Sequence, residues 1–202
     1  MAAAELEGLV ISGKRKGKEH SYALLEERVK NRKKFNREEA LSELAKIYFT
    51  SHGPATIKDF QWWSGLNQTD CKKGIAANEK KLQQIDINGN SYYFSLEVKS
   101  KPENSLHLLP AFDEFLIAYK DRSPSVDPLH QKHTFTMNGI FKPILVVDGQ
   151  VCGIWKRSVK KETVFIEVDM IIKIPKSRHK EVEKQAERFG DFLGLKTEVK
   201  IG

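Results

Sequence analysis

Between Ile57 and Phe94 the spacing of the apolar residues changes, and the change marks out a series of elements. Ile57, Phe60 and Trp63 recur at helical spacing, with Thr56 in the N-cap position and Asp59 placed as a capping-box acid. Gly53-Pro54 stops a preceding helix and Gly65 ends this one. After a short turn, Asn67 or Thr69 caps a third helix. Its Ile75, Ala76 and Leu82 are expected to face inward and Lys72, Lys73, Lys80 and Lys81 to stay in water. Then Ile85-Asp86-Ile87 and Tyr92-Tyr93-Phe94 flank Asn88-Gly89, the strongest short hairpin signal. Upstream, Asn36 caps a first helix whose opening turn carries Glu38 and Glu39, favourable at the positive end of the helix dipole. Leu41, Leu44, Ala45, Ile47 and Tyr48 form its expected inward stripe.

Helix, turn, helix and two-stranded wing in that order is the layout of a winged helix-turn-helix, whose third helix usually reads a DNA groove. The same layout also serves protein contacts or scaffolding, because fold does not fix function.

On the N-terminal side, the first eight residues resemble the tail of a helix. Leu9 to Ser12 and Ser21 to Leu25 read as two strands around a glycine-bracketed basic loop, Gly13-Lys14-Arg15-Lys16-Gly17-Lys18. Such a tip suits a phosphate backbone or a minor groove, and equally suits a solvated loop. The hairpin resembles a wing without helices in front of it, so either the chain is the C-terminal part of something longer or the hairpin packs on a partner. From Arg28 to Arg37 there are six basic residues and no acid, a linker and a second candidate phosphate contact.

Past Phe94, Glu97 to Ser105 is polar and reads as a boundary. Leu106 to Pro110 predicts a strand, and Ala111 to Ser123 a tight helical turn running into a polar loop. Ile144 to Val147 and Val151 to Trp155 flank another hairpin dipeptide, Asp148-Gly149. A strand from Thr163, a helix from Ser177 to Leu193 ended by Gly194, and a strand from Lys196 to Ile201 complete the chain. The expected class is α+β: a winged helix-turn-helix followed by a small β-barrel or curled antiparallel sheet with a C-terminal helix. The expected divisions are 1–35 (wing hairpin and basic linker), 36–98 (winged helix) and 99–202 (barrel-like part).

Composition sharpens this picture. A net charge of +7 and a pI near 9.3 favour a polyanionic partner, here double-stranded DNA. No run approaches the ~18 to 20 apolar residues of a membrane span, and no secretory h-region is present. Cys71 and Cys152 stand far apart with no CxxC pair, which supports neither a disulfide framework nor a zinc site and points to a reducing cytoplasm. His52, His107, His130 and His133 show no metal-ligand spacing, and Gly13 to Gly17 lacks the length and ending of a P-loop. No metal and no cofactor is expected.

Three blocks carry a resemblance: SHGPATIKDFQWWSGL at Ser51 to Leu66, LLPAFDEFLIAYKDRS at Leu108 to Ser123, and NGIFKPILVVDGQVCGIWKR at Asn138 to Arg157. Together they resemble the winged helix DNA-binding protein family that includes the bacterial AlkZ/YcaQ-type DNA glycosylases. The opening ELEGLVISGKRKGKEHSYALLEERV is similar to that family's preceding wing. The resemblance covers nearly the whole chain. It implies tandem winged helices around a C-terminal β-barrel and, for characterised members, excision of alkylated or crosslinked bases. Members carry a further N-terminal winged helix holding a Gln-apolar-Gln or Gln-apolar-Asp motif. This chain has no Gln-apolar-Gln triplet, and Gln84-Ile85-Asp86 matches the second form only by letters, where the third helix gives way to the wing.

A glycosylase needs a group that positions water, stabilisation of oxocarbenium character, and an exposed base. Asp113, Glu114 and Asp121 are the candidate carboxylates, each with a structural alternative: Asp113 as a cap and Asp121 as a loop-fixing partner of Arg122. Trp62-Trp63 offers one stacking ring at most, since adjacent helical residues point about 100° apart, and Trp63 is expected in the core. The candidate DNA contacts are Lys14, Arg15, Lys16, Lys18, Arg32, Lys33, Lys34, Lys72, Lys73, Lys80, Lys81, Lys156 and Arg157. The expectation is a DNA-binding module resembling the C-terminal part of a repair glycosylase, inactive alone. An active glycosylase excising alkylated bases and a protein-interaction scaffold stand as alternatives.

Overall fold

The structure, a computed structural model, describes residues 2–17, 19–96 and 104–202 and divides into two compact units, Met1–Ala40 and Leu41–Gly202. The boundary expected at 98/99 and the candidate contact Lys18 lie outside the described residues.

In the first unit, helix α1 (Ala2–Leu6) precedes the antiparallel pair β1 (Val10–Ser12) and β2 (Tyr22–Leu24), with Val10 opposite Leu24. The neck of the basic loop is tied by Gly13 N donating to Ser21 O at 2.7 Å and by Ser21 Oγ donating to Lys14 O at 2.5 Å. A single turn, α2 (Leu25–Arg28), follows. Asn36 then starts α3 (Arg37–Ser51) through a reciprocal pair: Glu39 N donates to Asn36 Oδ1 and Asn36 N donates to Glu39 Oε2, each at 2.9 Å.

The second unit contains the rest of α3, which buries Leu41, Ala45, Tyr48 and Phe49. Ile47, expected inside, is 50% exposed, because it lies about 200° around the helix from Ala45. Next come β3 (Ala55–Thr56), α4 (Ile57–Ser64) and α5 (Gln68–Ala76). Thr56 and Asp59 form the expected capping box, Gly65 closes α4 in the left-handed region, and Asn67 Oδ1 accepts from Asp70 N to cap α5. Gly74 lets α5 lie directly on α3, since a Cβ there would stand 2.7 Å from Leu41 O.

Helix α5 ends earlier than the apolar pattern predicts. Asn78 turns its amide back onto Gly74 O and across to Ser42 O, both at 2.8 Å, and so satisfies carbonyls at the helix end. Leu82 therefore opens a strand, β4 (Leu82–Ile87), and Lys80 and Lys81 sit in the connecting turn rather than on the third helix. Strand β5 (Asn90–Ser95) returns through Asn88 and Gly89, both at positive φ (51° and 77°), as a primed turn requires. It pairs with β3 on its other side, giving the order β3-β5-β4.

The remaining strands are β6 (Leu106–Leu109), β7 (Ile144–Val147), β8 (Gln150–Lys160), β9 (Thr163–Met170) and β10 (Lys196–Ile201), ordered β10-β9-β8-β7-β6 in a curled half-barrel. Between β6 and β7 lie α6 (Glu114–Ile117) and α7 (Gln131–Thr134). Helix α8 (His179–Leu193) links β9 to β10, and those two strands run parallel where an antiparallel sheet was expected. A crossover helix carries the chain back to the same end, which a hairpin cannot do. Val182 and Ala186 of α8 pack with Leu145, Trp155, Val164, Ile166 and Val168, while Leu116, Val126, Ile144, Val146 and Val151 form a separate cluster. Among the described residues no helix is long and apolar enough to cross a membrane.

Candidate nucleic-acid interface

Six described candidate cations of the first unit are exposed: Lys14, Arg15 and Lys16 in the tied loop, and Arg32, Lys33 and Lys34 in the linker. Arg32 reaches Glu26 at 3.4 Å, a loose surface pair of small energetic weight.

In the second unit, Lys72 and Lys73 project from α5 into solvent, and Lys80 and Lys81 from the turn that follows. A groove of about 730 Å³ runs between α5 and the β4–β5 hairpin; Ile75, Leu82 and Tyr93 line it, together with Lys58 and Lys72. On the half-barrel, Lys156 is paired with Glu167 at 2.8 Å, and the Arg157 guanidinium lies 5.0 Å from the centre of the Phe189 ring. That ion pair raises the Lys156 pKa and lowers that of Glu167.

The Gln84-Ile85-Asp86 triplet lies on exposed strand β4. Gln84 Nε2 donates to Asp86 Oδ1 and to Ser91 Oγ at 3.2 Å, and Ser91 Oγ donates to the same carboxylate oxygen at 2.6 Å. Ser91 and Gln84 thereby lower the Asp86 pKa. The triplet forms a cross-strand surface network of the hairpin.

The three candidate carboxylates have structural partners. Asp113 Oδ1 accepts from Phe115 N at 2.9 Å and caps α6. Asp121 Oδ1 accepts from Ser123 N at 2.9 Å, fixing its own turn. The expected Asp121–Arg122 pairing is replaced by another arrangement, in which Arg122 Nε donates to Leu116 O at 2.8 Å. Its guanidinium carbon lies 5.6, 5.2 and 5.1 Å from the ring centres of Trp62, Phe135 and Phe141. Burial lowers the Arg122 pKa, while the Asp59 charge opposes that shift. A guanidinium stacks on aromatic faces where an adjacent backbone-bound carboxylate offers poorer geometry.

Glu114 reaches His52, whose Nε2 stands 2.8 Å from Glu114 Oε2 and whose Nδ1 stands 2.7 Å from Ser51 Oγ. The imidazole stacks on Tyr48 at 5.0 Å, and Tyr119 Oη donates to His52 O at 2.8 Å. Burial, with the charges of Asp59 and Glu114, pushes the Tyr119 phenol up to about 12, and burial raises Tyr48 further still. His52, Glu114, Asp113, His107 and Tyr119 border an open cavity of about 440 Å³. Sequence reading missed this pairing because its partners lie 62 residues apart and neither stands in a short motif. It also missed the second role of Asp59, a buried carboxylate that accepts from Lys120 N and Asp121 N beyond its own helix cap.

Of the two tryptophans, Trp63, expected in the core, is half-buried and packs against the core cluster, 5.0 Å from Tyr48. Trp62 is 54% exposed and donates Nε1–H to Ile117 O at 3.0 Å. Among the described residues no group of three or more His, Cys, Asp or Glu could hold a metal ion.

The chain is similar to known DNA glycosylases in sequence and in fold. The chain is 28% identical over 167 residues to an interstrand DNA cross-link repair glycosylase of Streptomyces sahachiroi, covering 78% of this chain and 44% of that protein. Its fold matches the solved Streptomyces sahachiroi DNA glycosylase AlkZ with a TM-score of 0.78 at 23% identity, over 96% of this chain and 55% of that one. The chain thus spans about half the length of the relatives it matches. The sequence profile of one family, described as DNA glycosylase AlkZ-like, matches residues 1–192, and the chain belongs to that family.

Proposed function

We propose that this chain is a double-stranded-DNA-binding part of a repair glycosylase-like protein, in which α4, α5 and the β4–β5 hairpin act as a winged helix-turn-helix. The observation that carries this reading is the outward presentation of Lys72 and Lys73 on α5, directly behind the N-cap at Asn67. Lys80 and Lys81 extend the cationic edge toward the hairpin, and Lys14, Arg15, Lys16, Arg32, Lys33 and Lys34 supply further phosphate contacts from the first unit. Lys156 and Arg157 contribute least, because Glu167 and Phe189 already engage them.

In this reading the chain binds DNA and does not itself cleave the glycosidic bond. Asp113 and Asp121 support the inactive reading, since each spends an oxygen on a backbone N–H close in the chain. The test is K72E/K73E measured against two unrelated duplexes. Binding should weaken equally on both, with a log affinity–log salt slope about 2 shallower, near one unit for each phosphate that is no longer neutralised. Unchanged affinity and slope would remove α5 from the interface.

A second reading has one supporting observation, the His52–Glu114 pair on an open cavity beside Asp113. Release of free base from alkylated duplex by this chain, abolished in E114Q, would make that pair catalytic.

A further inference from the structure

Residues 135–141 form a small closed loop with an apolar tip. Phe135 and Phe141 bridge antiparallel at its root, their rings stacked at 5.1 Å, with the Arg122 guanidinium over both. Inside the loop Thr136 N donates to Ile140 O and Gly139 N to Thr136 O, each at 3.0 Å. The loop is therefore hydrogen-bonded internally and braced at its base, yet Met137 at the tip is fully exposed and Ile140 is 53% exposed.

Beside that root stands Phe112, its ring 6.2 Å from Phe141 and 54% exposed. Its φ of 58° is left-handed, a conformation a bulky side chain rarely adopts. The turn between β6 and α6 would form with less strain around glycine or asparagine. A half-exposed ring brings little burial in exchange, so the fold does not account for Phe112. Strain of this kind is concentrated at binding and catalytic surfaces.

The charge around the loop indicates what it meets. From Pro128 to Pro143 the chain carries Lys132, Lys142, His130 and His133 and no acid. The acids nearest the wedge are engaged elsewhere: Asp127 accepts from Leu129 N, Asp113 from Phe115 N, and Glu114 reaches His52. An apolar point on a loop whose own charges are cationic is complementary to the stacked bases and phosphates of DNA. Phenylalanine, isoleucine and methionine are among the side chains that enter base steps as wedges. We propose that Met137, Ile140 and Phe112 form a wedge that enters a base step of duplex DNA and unstacks it. The proposal rests on the DNA-binding reading above and adds to it the place where the duplex is distorted.

The test uses the full chain and a duplex carrying 2-aminopurine beside an abasic analogue, with binding followed by anisotropy and unstacking by 2-aminopurine fluorescence. At saturating protein the wild type should raise the fluorescence severalfold. M137S/I140S and F112G should still saturate the duplex and lose most of that rise. Because F112G relieves the left-handed strain, it should also melt no lower than the wild type, which separates loss of the wedge from loss of the fold. Wild-type binding without a fluorescence rise, or variants that keep the full rise, would overturn the wedge and leave the DNA-binding reading intact. Absence of wild-type binding at low salt would overturn both.

Discussion

The buried Asp59 carboxylate accepts the backbone N–H of Lys120 at 2.9 Å, although 61 residues separate the two. The same oxygen accepts from Asp121 N at 3.1 Å, and the other oxygen accepts from Thr56 N and Thr56 Oγ at 2.9 and 2.6 Å. One side chain thus starts α4 and fixes the segment that presents Arg122 to the aromatic rings. A carboxylate suits this task because it only accepts, and both oxygens face donors.

Asp59→Asn should therefore cost much more than a surface substitution. Its amide would place N–H groups against backbone donors on one side, losing two charge-assisted bonds. We expect a loss of about 3 kcal/mol, read as a lower midpoint in urea unfolding. A change below about 0.5 kcal/mol would mean that the segment after α6 holds itself.

Tyr119 sets a pH dependence. Its phenol is raised to about 12 in the fold, so the folded state holds the proton more tightly than the unfolded chain. Its contribution is present in full below the ordinary tyrosine value near 10 and is lost as pH rises through about 12. Stability should fall over that window. Tyr119→Phe should cost about 1 kcal/mol at pH 8 through the lost bond to His52 O, and should flatten the alkaline fall. An unchanged alkaline slope would assign that fall to other groups.

Much of this organisation was legible because it is local. The Thr56–Asp59 box, the Asn36 cap and the turns at Asn88-Gly89 and Asp148-Gly149 each lie within a few residues, and each formed where the letters placed it. What escaped depends on distant partners. The end of α5 is set by Asn78 reaching Ser42, 36 residues away. The parallel pairing of β10 follows from α8 crossing the sheet, which strand patterning does not encode. Arg122 chose three rings over its neighbour Asp121, and only the fold brings those rings together.

Both cysteines are buried, and burial raises both thiols above their usual value. Neither should react with a thiol reagent at pH 8 in the folded protein, and both should react once urea unfolds it. Fast labelling of Cys71 in the native state would contradict its place in the core between α3 and α5.

Phe112→Gly offers a stability test separate from DNA. Removing a side chain from the left-handed region should stabilise the fold by about 1 kcal/mol, offset in part by the extra freedom of glycine in the unfolded chain. The melting temperature should stay level or rise by a few degrees. A fall of several degrees would show that the ring packs more than its exposure indicates.

The most direct test of the central claim is fluorescence anisotropy of a labelled undamaged duplex titrated with this chain across a salt series. The account predicts binding whose log affinity falls linearly with log salt, by about 0.9 for each phosphate neutralised. With Lys72, Lys73 and the Lys14 to Lys16 loop engaged, that slope should be steeper than about −3. No binding at low salt, or an affinity indifferent to salt, would contradict it.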